Sequence, residues 1–245
     1  VRLQLTRNDA EMAETAAQVF IAAIARKPSS AIALPTGNTP VGLYNRLIAL
    51  HRDGHLSCAQ ARFFNLDEFV GKPARDPQSY AAFLDRHFFH PMHIASGQIR
   101  MLAGDAPDPG AECRDFERAI AAAGGLDLAI LGLGANGHIA FNEPGSDWDS
   151  ETREITLTPA SRRGQIGLFA TEAEVPARGL TMGIKTIRNA RSILLLVAGG
   201  SKREALAALL RQKPDPDWPV TALLDHPART VVAVATLTDA RVLTV

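Results

Sequence analysis

The chain has 245 residues, 46% of them hydrophobic and 21% charged, and its 26 Lys and Arg are matched by 26 Asp and Glu. That length suits one large domain over residues 1–245, and the zero net charge argues against a nucleic-acid surface or a polybasic membrane patch. No apolar run approaches the ~18 residues of a membrane span, and the acidic start at Asp9, Glu11 and Glu14 is unlike a signal peptide, so a cytoplasmic protein is expected.

Asn8 or Asp9 caps a helix predicted to run to about Arg26, with Met12, Ala16, Val19, Phe20, Ala23 and Ile24 on one face. Ala31 to Leu34 reads as a short strand. Pro35-Thr36-Gly37-Asn38-Thr39-Pro40 follows, then a helix from Val41 to about Arg52 with Thr39 as its N-cap. This strand, loop and helix start is either an ordinary capped turn or an anion site. In the second case free N–H groups, hydroxyls and the helix dipole converge on one spot. The loop lacks the Lys of a P-loop, so a nucleotide of that kind is not expected. The thiols of Cys58 and Cys113 lie far apart, in no motif, and read as reduced.

Arg62 to Leu66 is a second strand, ending at Asp67-Glu68. Acids there either solvate a loop or move protons. Phe63, Phe64, Leu66 and Phe69 flank Asp67 in sequence and would desolvate it, raising its pKa. Ser79 to Phe89 reads as a helix stopped by Pro91. His87, His90 and His93 recur every three residues, but Pro91 separates the last two and no acid stands among them, so no metal is expected. Gly104 to Gly110 is a loop and Ala111 to Ala123 a helix.

Leu126 to Glu143 begins as a strand buried on both faces and breaks into Gly132, Gly134 and Gly137 before His138 and Glu143. Those glycines satisfy G-x-G-x-x-G. A dinucleotide would need a helix to open there, and Pro144-Gly145 forbids one. The glycines instead shape a loop around a substrate. Arg153 to Leu157 reads as an edge strand. Ser161 to Arg178 is the least regular stretch, and a lid is expected around residues 150–180. Leu180 to Ala190 reads as a helix despite Gly183.

Ser192 to Val197 is another buried strand. It leads into Ala198-Gly199-Gly200-Ser201-Lys202 and a helix to Arg211. A lysine in a first turn opposes the helix dipole, and a bound phosphate would relieve the conflict. Thr230 to Ala235 is a last apolar strand. The βαβα alternation implies a doubly wound parallel sheet with helices on both faces. Its carboxyl edge gathers the loops at 35–40, 66–68, 132–143 and 198–202.

The motifs L-P-T-G-N-T-P at 34–40, F-N-L-D-E-F at 64–69, G-L-G-A-N-G-H-I-A-F-N-E-P-G at 132–145 and L-T-M-G-I at 180–184 resemble the glucosamine-6-phosphate deaminase family. The resemblance covers nearly the whole chain in order. It implies a modified doubly wound, Rossmann-like α/β fold. It also implies conversion of glucosamine 6-phosphate, a small amino-sugar phosphate, to fructose 6-phosphate and ammonia, with no cofactor and no metal. Carried over by motif, Asp67 would be the base between C2 and C1. His138, oriented by Glu143, would open the pyranose ring. Lys202 and the loop Thr36, Gly37, Asn38 and Thr39 would hold the phosphate.

Two departures bear on this. Asn136 stands where some members carry Asp; it cannot act as a base, so it is expected to orient His138 or the substrate. The lid stretch Gln165-Ile166-Gly167-Leu168-Phe169 lacks an Arg that members often carry, leaving Arg162 or Arg163 to substitute or the phosphate to be held more loosely. The galacto epimer, a 6-phosphogluconolactonase-like hydrolase and a non-catalytic sugar-phosphate regulator stand as alternatives. The short stretch after the last strand, to Val245, implies no strong allosteric activation. Monomer and homo-oligomer are both open.

Overall fold

The computed structural model describes residues 2–237. In chain order the elements are β1 (Arg2–Thr6), α1 (Asp9–Arg26), β2 (Ala31–Leu34), α2 (Val41–Arg52), β3 (Arg62–Asn65) and β4 (Asp67–Phe69). Then come α3 (Tyr80–Leu84), running into a π-helical turn at Asp85–Phe89, β5 (Ile99–Arg100), α4 (Pro109–Ala122), β6 (Leu128–Gly132) and β7 (Arg153–Thr156). The chain continues through α5 (Pro159–Gly164), β8 (Arg178–Thr181), α6 (Ile184–Arg188), β9 (Ile193–Val197), α7 (Arg203–Leu210) and β10 (Arg229–Val234).

Local chemistry sets these boundaries. Asn8 Oδ1 accepts from Glu11 N at 2.9 Å and caps α1, whose face of Met12, Ala16, Phe20, Ala23 and Ile24 is buried. Such a cap contributes about 1 kcal/mol. Every residue of β2 and of β9 is buried, so helices cover both faces of the sheet they occupy. Cys58 and Cys113 are free and buried.

Seven strands form a parallel sheet in the order β1-β10-β9-β6-β2-β3-β5. From β2 the chain winds outward through β3 to β5. From β6 it winds the other way through β9 to β10. The topological switch point therefore lies between β2 and β6, and the crevice at their carboxyl ends is where such sheets bind ligands.

A second, three-stranded antiparallel sheet, β4-β8-β7, stands apart. It revises two expectations. Asp67 and Glu68 belong to a strand and not to a loop, with Asp67 opposite Thr181. Leu180 lies in a strand that ends at Thr181, and the helix starts only at Ile184, with Gly183 as its N-cap. A Cβ at Gly183 would stand 2.1 Å from Ser150 O, so the tight junction requires glycine. Two strands at the margins, β1 and the two-residue β5, have no counterpart in the sequence reading. No helix among the described residues is long and apolar enough to cross a membrane.

Candidate active site

Four neighbouring strands deliver the candidate residues to one edge. The carboxyl end of β9 leads to Lys202, that of β6 to Asn136 and His138, that of β2 to Thr36, and that of β3 to Asp67. The site therefore spans the switch point.

The loop after β6 carries a hydrogen-bonded relay. Asn136 Nδ2 donates to Glu143 Oε2 at 2.6 Å, and His138 Nδ1 lies 2.7 Å from Asn136 Oδ1. The backbone N–H of His138 also donates to that oxygen, at 3.3 Å. Glu143 thus reaches His138 through Asn136 and not directly. The amide fixes its own polarity: its NH₂ faces a carboxylate, so its oxygen faces the ring. That places the imidazole proton on Nδ1 and leaves Nε2 as a free lone pair.

Burial, and then the nearby Lys202 ammonium, lower the His138 pKa to about 4, so the ring is neutral at neutral pH. Between about 4 and its ordinary 6.5, the unfolded chain binds a proton that the folded chain does not. This contribution to stability is therefore complete above 6.5 and lost as pH falls through 4. In an NMR titration the His138 ring is expected to stay neutral, with its proton on Nδ1, down to about pH 5. Asn136→Asp places an anion beside Nδ1–H and is expected to move that titration upward. A wild-type ring titrating near 6.5 would overturn the lowered pKa and the neutral ring it implies.

The relay is held in a constrained turn. No helix opens after Gly137, as Pro144-Gly145 implied; the chain forms turns and a bridge between Ile139 and Asn142. A Cβ on Gly134 would meet His138 ring atoms at 2.2–2.4 Å, so only glycine lets the imidazole lie against the backbone. Ala140 has φ 51°, a left-handed conformation costing about 1–2 kcal/mol. Its neighbours hold it there. Phe141 N donates to Thr181 Oγ1 at 3.1 Å, and Asn142 Nδ2 donates to Ile139 O and Met182 O. From the other side Trp218 packs on Gly137, and Val220 N donates to Gly137 O at 2.9 Å.

Glu143 is buried, and burial raises its pKa against the opposing hydrogen bonds of Asn136 and Thr158. Asp67 is also buried. Desolvation, and then the Glu68 charge, push its carboxyl well above the usual range, as the flanking phenylalanines suggested.

Glu68 was not singled out from the sequence, yet it organises this corner. Its carboxylate accepts from Phe69 N at 2.8 Å, Tyr80 N at 3.0 Å and Ala81 N at 2.9 Å. It therefore fastens the start of α3 to the strand carrying Asp67. Only its place beside Asp67 among phenylalanines hinted at burial, and a buried carboxylate must find donors.

At the loop after β2, Tyr44 Oη donates to Pro35 O at 2.5 Å, and Gly37 takes φ 89°. Pro40, with no side-chain cap, precedes α2, so Thr39 is not the N-cap expected. Gly37 and Asn38 are exposed, and Thr36 and Thr39 half-exposed. Lys202 is half-buried, its pKa lowered by desolvation, and it has no acidic partner among the described residues. A desolvated, unpaired ammonium whose charge is felt at His138 is suited to an anion. Both candidates for the absent arginine contact Glu172. Arg162 donates to Glu172 O at 2.6 Å, and Arg163 lies 4.0 Å from the Glu172 carboxylate.

Residues 6–233 match the family described as glucosamine-6-phosphate isomerases/6-phosphogluconolactonase. This chain belongs to that family. Among its relatives, the glucosamine-6-phosphate deaminase of Lysinibacillus sphaericus is 40% identical over 91% of this chain and 94% of its own. A solved monomeric glucosamine-6-phosphate deaminase superposes with a TM-score of 0.94 at 36% identity, covering 97% of this chain and 98% of its own. The 6-phosphogluconolactonase of Thermotoga maritima shares the family fold at a TM-score of 0.73 and 22% identity, covering 95% of this chain and 98% of its own.

Proposed function

We propose that this family member is an amino-sugar-phosphate deaminase converting glucosamine 6-phosphate and water to fructose 6-phosphate and ammonia. One observation carries the reading: an anion loop with Lys202, a neutral imidazole relay and a buried carboxylate share one sheet edge. Those are the groups the three steps need.

The phosphate binds the Thr36–Thr39 loop and Lys202, without a lid guanidinium, and orients the sugar. A neutral His138 cannot begin as an acid. Its Nε2 first accepts the proton of the C1 hydroxyl and then returns it to the ring oxygen, which opens the pyranose. Asn136 holds the ring in this tautomer, and Glu143 holds Asn136. Asp67 then removes the C2 proton beside the new aldehyde and returns a proton to C1. Its raised pKa strengthens it as a base. Carbon 1 is reduced to an alcohol as carbon 2 is oxidised to an imine, the nitrogen giving up one proton and O1 taking one up, so atoms and electrons balance within the substrate. Water adds to the imine and ammonia leaves. The segment at 157–178 acts as a lid over these steps. Sugar phosphates do not cross membranes unaided, and two buried thiols suit a reducing compartment; both support a cytoplasmic reading.

The test is to supply glucosamine 6-phosphate, galactosamine 6-phosphate and 6-phosphogluconolactone separately and measure ammonium, ketose phosphate and lactone loss. Ammonium from the gluco substrate is expected. No ammonium from either amino sugar would overturn the reading, and galacto preference would correct the epimer. Lys202→Met is expected to raise KM roughly 10–100-fold, the loss of one charge-assisted hydrogen bond. An unchanged KM would remove Lys202 from the phosphate site.

A further inference from the structure

One rung of the small sheet touches both halves of the site. Across β4, β8 and β7, Asp67 stands opposite Thr181, and Thr181 opposite Arg153. Residues opposite one another in a sheet project to the same face. The rung therefore shows one face that carries the carboxylate of Asp67, the hydroxyl of Thr181 and the guanidinium of Arg153. The last two hold the turn at 139–142. Phe141 N donates to Thr181 Oγ1 at 3.1 Å, and Arg153 Nη1 donates to Asn142 Oδ1 at 2.9 Å.

That turn spaces the relay. His138 precedes it, Glu143 follows it, and Asn136 bridges the two. Asn142 N and Nδ2 both donate to Ile139 O, which closes the turn but does not place it. Left to itself the turn would relax, because Ala140 is held at φ 51°.

Asp67 is fastened independently. Asn65, fully buried at the end of β3, donates through Nδ2 to Asp67 O at 2.8 Å and accepts through Oδ1 from Leu102 N at 2.9 Å. The link from this fixed strand to the turn runs through Thr181 and Met182. Met182 uses only backbone groups, its N–H on Leu66 O and its carbonyl on Asn142. Thr181 is where a side chain decides. A valine there would keep the shape and offer no acceptor, leaving the buried Phe141 N–H unpaired. The turn must then shift, and His138 moves relative to Asp67. Ring opening and C2 proton transfer act on neighbouring atoms of one bound sugar, so their two groups need a fixed separation.

We propose that Thr181 is a positioning residue that acts through the 139–142 turn to hold the His138 relay in register with Asp67, with Arg153 as the second hold on that turn. The inference rests on the deaminase reading for the roles of His138 and Asp67.

The test compares wild type, Thr181→Val, Thr181→Ser and Arg153→Met. It reads the His138 ring resonances without substrate, the affinity for inorganic phosphate, and kcat and KM for ammonium release from glucosamine 6-phosphate. Thr181→Val is expected to move the His138 resonances and to lower kcat roughly 10–100-fold, the loss that a shift of up to 1 Å at a reacting group brings. KM and phosphate affinity are expected to hold, because the anion loop and Lys202 follow other strands. Thr181→Ser keeps the acceptor and is expected to recover both the resonances and kcat. A folded Thr181→Val with wild-type resonances or wild-type kcat overturns the proposal. So does an equal loss in phosphate binding, or a serine variant that recovers nothing. Should Thr181→Val not fold, Arg153→Met, which alters a half-buried side chain on the same turn, is judged by its resonances and kcat in the same way. If wild type releases no ammonium, the deaminase reading fails on its own, and the His138 resonances of the variants still decide whether Thr181 places the relay.

Discussion

Asp67→Asn is expected to reduce turnover by roughly 10²–10⁴-fold, the usual contribution of a positioned general base. The amide has nearly the shape of the carboxylate but cannot take a proton from C2. Substrate affinity is expected to persist, because the anion loop and Lys202 lie on other strands. Exchange of the C2 hydrogen with solvent deuterium is expected to vanish. Burial makes the native carboxylate costly to ionise, so the variant is expected to melt no lower than wild type. The two outcomes together separate a lost base from a damaged fold. Retained C2 exchange would move the base to another residue.

Gly134→Ala is the second large effect. Its methyl would stand 2.2–2.4 Å from Nδ1, Cε1 and Cγ of His138, where real Cβ contacts stay beyond 3.0 Å. The imidazole must leave its place, and the 2.7 Å bond to Asn136 goes with it. A displacement of about 1 Å at a reacting group costs on the order of 10²-fold. We expect kcat/KM to fall by about that much while inorganic phosphate still binds. The decisive control is a double-mutant cycle with His138→Ala. If Gly134 acts only by seating the ring, adding Gly134→Ala to His138→Ala costs nothing further. Additive losses would mean that the glycine shapes something other than the imidazole.

Five strands of the parallel sheet were legible as short apolar runs, those of β2, β6 and β9 closed by proline or glycine, whereas the marginal β1 and β5 were not. Ala31 to Leu34 and Ile193 to Val197 needed no other signal, being buried on both faces. The relay was half legible. Asn136, His138 and Glu143 lie within eight residues of chain, but their order in space depends on a turn that Thr181 and Met182 hold from another sheet. The small sheet was not legible. Asp67-Glu68-Phe69 carries two acids in three residues and looks like a loop. It is a buried strand because donors from Tyr80 and Ala81, twelve and thirteen residues on, satisfy Glu68. The same limit hid Gly183 at a helix start, since its reason is the Ser150 carbonyl more than thirty residues earlier. Periodicity reports which face is apolar; it is silent on partners brought from a distance.

The separateness of the β4-β8-β7 sheet has an evolutionary meaning. The loops of the seven-stranded frame carry the residues proposed for phosphate binding and ring opening, while the residue proposed for the carbon-acid step belongs to a three-residue strand outside it. On that proposal the two capacities rest on separable parts of the structure. A lineage could discard or replace the acid at position 67 and keep a working sugar-phosphate receptor, without rebuilding the scaffold that holds the ligand.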